Sequence, residues 1–178
     1  MAGYDPNFLG NGINLPVPSF APSLAGDVLR SSLLEDDIFA GYINYSIITH
    51  RVRRSPIIAC VNINQNLYKS VSRSKDWNID TRIGADFQLD NDYYRSNPWD
   101  RGHLARRASV AWGETQRDAK RASDDTFYYS NATLQHGNFN QDEWLALENW
   151  VFKLNLDSNG KVTVFSGQIG RASCRERV

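Results

Sequence analysis

Between Asn97 and Arg107 the chain reads NPWDRGHLARR, which sets one histidine, His103, among Asp100, Arg101, Arg106 and Arg107. Imidazole is a base that works near neutral pH. Guanidinium groups grip phosphate oxygens through a planar fork of donors. Together they suit attack on a phosphodiester. That reaction also needs charge neutralised at the phosphate and the leaving oxygen stabilised, so other residues must complete the set.

Asn140 and Glu148 are candidates, eight positions apart on the segment with the strongest helical pattern. Eight residues make about two turns and roughly 12 Å of axis, with directions about 80° apart. Helical side chains lean towards the N-terminus, so Glu148 reaches back towards Asn140. Mg²⁺ takes oxygen ligands and keeps several waters. Asn140 could bind it directly while Glu148 holds its water shell. Equally, Asn140 can be only a helix N-cap and Glu148 only a polar-face acid. Further cations upstream, Arg73 and Arg82, could also reach a substrate.

These residues need elements to place them. Residues 1–27, rich in Gly, Pro, Asn and Ser, read as an arm lying over a domain that spans 28–168. Asp27 to Ala40 is expected to be helical. Tyr42–Thr49 and Pro56–Ile63 are aromatic and β-branched, and suggest a hairpin in an antiparallel sheet. A short strand is expected near Trp77–Ile83, a loop feeding a short strand at Asn97–Arg107, and a short helix within Ala111–Ser123. Thr126–Leu134 reads as a strand that delivers Asn131. A helix should start at Asn140, with Glu143 completing a capping box. Its Trp144, Leu147, Val151 and Leu154 should face the core. Lys161–Ser166 closes the pattern as a strand.

The 178 residues carry 20 basic and 20 acidic side chains, yet the charge is segregated. Residues 1–50 hold one basic and five acidic groups, 51–121 hold fourteen and eight, and 122–168 hold two and six. Of these three segments only the middle one is net positive, and it contains Arg101 and His103, which favours a polyanionic partner there. No apolar run is long enough to cross a membrane as a helix, and the N-terminus has no signal-peptide pattern. The last ten residues, IGRASCRERV, resemble a translated sequencing-library adapter, so 169–178 are read as a non-native tail and the domain as incomplete at its C-terminus. That leaves Cys60, inside PIIACVNI, as a core residue without a disulfide.

Three segments, DRGHL (100–104), DDTFYYSN (124–131) and FNQDEWLALE (139–148), come in an order that resembles the DNA/RNA non-specific endonuclease family, the ββα-metal (His-Me finger) enzymes with a DRGH motif. The resemblance extends from about Tyr4 to Gln168. It implies an α+β fold with an antiparallel sheet flanked by helices. It implies a Mg²⁺-dependent (or Mn²⁺-dependent) endonuclease that cuts DNA and RNA and leaves 5′-phosphate ends. By the same resemblance, His103 is the general base, Asn140 the direct metal ligand, and Glu148 a ligand through water. Arg101 contacts phosphate or the transition state, Asn131 supports the site, and Arg73 matches a further family arginine. Arg106 and Arg107 are peripheral phosphate contacts or plain surface, and Asp100 shapes its loop. His50 and His136 match no catalytic position. An inhibitor or immunity protein is a possible partner, and export to the periplasm or medium fits the family. Leu134 stands where the family usually has proline. Two other readings are a truncated, inactive relative that only binds nucleic acid, and an HNH-type nuclease, which would want further His or carboxylate ligands downstream.

Overall fold

The computed structural model describes residues 3–154 and 159–168. Its larger sheet has the order β1 (Phe39–Tyr42), β2 (Tyr45–His50), β3 (Ser55–Asn64) and β6 (Lys161–Gly167), all antiparallel. Between β3 and β6 the chain forms a two-stranded ribbon, β4 (Trp99–His103) against β5 (Ala132–His136). The helices are α1 (Pro22–Ala25), α2 (Arg107–Val110), α3 (Gln116–Asp125), α4 (Gly137–Gln141) and α5 (Glu143–Leu154). Antiparallel sheets flanked by helices make this an α+β fold.

Strands β2 and β3 read as near-continuous apolar runs because both of their faces are covered. Tyr45, Ile47, Ala59, Val61 and Ile63 face the main core, which Ile83, Leu104, Ala105 and Val110 complete from the ribbon side. Wholly burying an aliphatic side chain such as Ile47 contributes about 1.5–3 kcal/mol. Ser46, Cys60 and Asn62 alternate with these residues and meet the N-terminal arm instead. Tyr4 N–H donates to Ser46 Oγ (2.9 Å) and Asp5 N–H to Asn62 Oδ1 (2.7 Å). Tyr4 also packs edge-on against Phe165, 5.5 Å between centroids. Cys60 is buried and free, with its thiol pushed up to about 12 by that burial.

Several expected elements differ. Asp27 to Ala40 is not a helix. Asp36 and Asp37 both adopt positive φ (49° and 64°), and the segment turns back through a Glu35–Phe39 bridge into β1. Tyr42–Thr49 is two strands joined at Asn44, whose left-handed φ of 72° suits asparagine. Trp77–Ile83 forms only an isolated bridge, Asn78 to Tyr128. The chain from Thr126 to Asn131 is turn and 3-10 helix, so Asn131 precedes β5 rather than ending a strand. The helix expected from Asn140 starts earlier, breaks at Asp142 (φ −111°, ψ −87°), and resumes at Glu143. Asn140 therefore lies inside α4 and caps nothing. The apolar face of α5 meets the core only in part, with Val151 packed against it. Leu147 and Leu154 are both 45% exposed, while Trp144 and Val151 are half-buried. The tail 169–178 lies outside the described residues.

Candidate active site

The ribbon and the two helices after it form a β–β–α unit, and DRGH occupies β4 itself. Cross-strand pairing of Asp100 with Gln135, Gly102 with Thr133 and His103 with Ala132 fixes which side chains share a face. Gln135 packs over Gly102 so closely that a Cβ there would lie 2.1 Å from its Oε1 and 2.5 Å from its Cγ. Any other residue at position 102 must displace Gln135 or the strand. The glycine of the motif thus lets β4 lie flat under its neighbour, one residue before the histidine.

His103 lies among aromatic rings. Trp77 is 4.9 Å and Phe127 5.1 Å from it between centroids. Its Nε2 is buried and has no hydrogen-bond partner. An orphaned ring nitrogen is expensive in a core and useful in a site, where a ligand can meet it. Burial, with Arg73 and Arg107 nearby, pulls its pKa down to about 3. The imidazole is therefore neutral throughout the physiological range.

The same rings carry the arginines. Arg101 stacks over Trp77 (5.6 Å) and Tyr94 (6.0 Å) and donates to Asn91 Oδ1 at 2.9 Å. Arg73 lies over Phe127 at 5.5 Å. Stacking leaves the in-plane donors of a guanidinium directed outward. Trp77 and Phe127 are site residues that sequence reasoning missed, although the Arg73–Trp77 spacing was a visible signal. Arg107, read from sequence as peripheral, also faces this cavity.

One cavity of about 270 Å³ gathers Arg73, Arg101, His103 and Arg107 with Asn140 and Glu148. Arg106 lines it too, but is already engaged. Its Nε lies 3.5 Å from Glu148 Oε2, and its Nη2 donates to Asn149 Oδ1 at 2.6 Å. Burial pushes the Glu148 carboxyl up to about 7, against the opposing pull of Arg106. Four arginines around one raised carboxylate give the cavity an electropositive lining suited to an anion.

Asp100 does not face the cavity as a ligand. Its Oδ2 accepts from Asn140 Nδ2 (2.9 Å) and Gln141 Nε2 (3.0 Å). These bonds, that from Gln141 foremost, hold the carboxyl below the usual range. They also fix the amide of Asn140, with its nitrogen on Asp100 and its oxygen free for another partner.

Asn131 stands apart from the cavity. It is wholly buried. Its Oδ1 accepts from Ala105 N–H (2.8 Å), while Nδ2 donates to the carbonyls of Ala105 (3.0 Å) and Thr126 (3.1 Å). It clamps the chain just after His103 to the start of β5 and touches no reacting group. Arg82 is also remote, paired with Asp80 at 2.7 Å and donating to Gly41 O. His50 is buried, with Nδ1 accepting from Val52 and Arg53 N–H. His136 is exposed beside Trp99.

Known proteins resemble this chain in sequence and fold. Residues 32–176 match the DNA/RNA non-specific endonuclease family. An uncharacterized protein of Sinorhizobium fredii, y4fB, is 34% identical over 185 residues, covering 98% of this chain and 28% of that one. Human mitochondrial endonuclease G is 37% identical over 78 residues, 44% of this chain and 24% of its own. The chain thus spans about a quarter of the length of these curated relatives. The crystal structure of an EndoG/EndoGI complex, which describes EndoG inhibition, superposes with a TM-score of 0.64 at 27% identity, over 85% of this chain and 61% of that one. The fold is that of a ββα-metal nuclease, and the chain belongs to the DNA/RNA non-specific endonuclease family.

Proposed function

We propose that this chain is a Mg²⁺-dependent endonuclease that hydrolyses phosphodiesters of both DNA and RNA and leaves 5′-phosphate ends. The observation that carries the reading is the meeting of His103, Arg101, Asn140 and Glu148 at one electropositive cavity.

The residues fit a hard cation. Among the described residues no group of three or more His, Cys, Asp or Glu could cage a metal. Mg²⁺ needs no such cage, since it retains most of its waters. Asn140 would hold it through the amide oxygen that Asp100 leaves free, with Glu148 in the same cavity gripping its hydration. Bound there, the ion would neutralise phosphate charge and favour departure of the 3′ oxygen.

The chain's own groups do the remaining work. His103, neutral and with Nε2 unsatisfied, takes the proton of an attacking water. Arg101 and Arg73, stacked on Trp77 and Phe127, hold the phosphate and the charge that grows on it. Arg106 holds Glu148 in place. These groups act on the backbone phosphate, which carries little base information, so both sugars and most sequences are substrates. A protein inhibitor fits this reading as a partner, since the similar EndoG is seen in complex with EndoGI.

Incubating the chain with plasmid DNA and with RNA is expected to give cleavage of both on adding Mg²⁺ or Mn²⁺, and none in EDTA. Binding that persists without cleavage in either metal points to a nucleic-acid binder instead.

Glu148 supplies a pH test independent of activity. Its folded-state pKa is raised to about 7, above an unfolded value near 4.5. Between those pH values the folded chain holds a proton that the unfolded chain has lost, so this group's contribution to stability falls as pH rises. Glu148→Gln removes that slope. In EDTA, the Tm of the variant minus that of the wild type is expected to rise from pH 4.5 to 7 and to flatten outside that window. A difference that does not change with pH contradicts it.

A further inference from the structure

The catalytic cavity lies at one end of the β4–β5 ribbon, and the other end is aromatic. Cross-strand partners share a face, and side chains alternate along each strand. Trp99 opposite His136, Arg101 opposite Leu134, and His103 opposite Ala132 therefore line one face in that order. Trp99 and Leu134 are each 42% exposed, and His136 is exposed as well. An exposed tryptophan on a strand whose next two same-face residues are a phosphate-binding arginine and a general base calls for explanation.

The ring is held. Trp99 N–H donates to Asn97 Oδ1 (3.0 Å), and Asn97 Nδ2 donates to Tyr93 O (2.9 Å), which fixes the bend that begins β4. Pro98 O accepts from Gly137 N–H (3.1 Å), tying the same bend to α4. His136 meets the indole edge-on, at 87° and 5.9 Å between centroids, and so braces it. Four residue steps along the strand lead from Trp99 to His103, about 13 Å. A stacked polynucleotide strand rising about 3.4 Å per residue covers that span in roughly four nucleotides. The face therefore offers, in sequence, a ring, a cation and a base.

We infer that Trp99, braced by His136, is a nucleobase-stacking subsite, which binds an unpaired base of the substrate a few nucleotides from the phosphate cleaved at His103. The inference rests on the nuclease reading and extends it to substrate form. A base paired and stacked in a duplex cannot lie on the indole without leaving its stack, whereas one in a single strand can. Single-stranded regions of DNA or RNA are the preferred substrate. The subsite is indifferent to base identity, since every base has a π-face.

The test is binding by the full chain in EDTA, where no cleavage occurs. The probes are a fluorescent oligothymidylate of about twelve nucleotides and an abasic oligomer with the same phosphates. The wild type is expected to prefer the oligomer with bases by roughly 5- to 100-fold. Trp99→Leu should lose that preference and keep its affinity for the abasic strand. Trp99→Phe, which keeps a ring, should retain most of the preference and controls for folding. The dependence on salt should stay unchanged in both variants, since no phosphate contact is removed. Equal binding of the two oligomers by the wild type overturns the subsite alone, as does a base preference that survives Trp99→Leu. Binding of neither oligomer at low salt overturns the nuclease reading and the subsite with it.

Discussion

Replacing His103 with alanine is expected to lower the rate of DNA and RNA cleavage by roughly 10²- to 10⁴-fold, the usual contribution of a positioned general base. Affinity for nucleic acid in EDTA should remain close to that of the wild type. The arginines stand on Trp77, Tyr94 and Phe127 and not on the imidazole, so removing the ring leaves them in place. Small imidazoles added to the solution have a cavity to enter, because the truncation opens space beside the same rings. Partial recovery of cleavage with imidazole, and none with a non-basic azole, is the expected signature. Cleavage by His103→Ala within a few-fold of the wild type would falsify the assignment of the base.

The second large effect is expected at Asn140. Asn140→Ala removes the oxygen proposed to hold the cation. It should cost about 100-fold in rate at fixed Mg²⁺, at least what is lost when a mere supporting residue of a metal site is removed. It should also raise the Mg²⁺ concentration needed for half the maximal rate. Asn140→Asp restores an oxygen, yet it is expected to fail as well. Asp100 accepts a hydrogen bond from Asn140 at 2.9 Å, and an aspartate there sets two carboxylates against each other. Pairing it with Asp100→Asn restores one donor and one acceptor, and should recover part of the activity. An active Asn140→Asp single variant argues that Asp100 does not orient this side chain.

Much of the site was legible in the chain because its chemistry is local. DRGH lies on one strand, and the order of motifs around Asn131, Asn140 and Glu148 carried the family. The central hairpin was legible too, since β2 and β3 combine β-branched residues with burial on both faces. Failures came where distant contacts overrule local pattern. Nothing in FNQDEW shows that Asn140 will bond to a carboxylate forty residues earlier, so it passed for a helix cap. Leu147 and Leu154 carry a core-like period, but no described residue covers them fully. Arg106 looked like a spare phosphate contact, because its engagement by Glu148 and Asn149 depends on how α5 lies against the ribbon. Asn131 was matched to the site through the family resemblance. Its buried hydrogen bonds make it a fastening behind the histidine.

The break at Asp142 changes what sets the span between Asn140 and Glu148. On one unbroken helix, helical pitch alone would dictate that gap. Here each residue is gripped separately by the segment around His103, Asn140 by Asp100 and Glu148 by Arg106. Those two grips stand at the ends of the seven-residue stretch that contains Arg101 and His103. The stretch works as a jig, gauging the two proposed ion-binding positions from the piece of backbone that carries His103. Substitutions around Asp142 leave both grips in place, whereas a single inserted residue between Asp100 and Arg106 throws both jaws out of alignment at once.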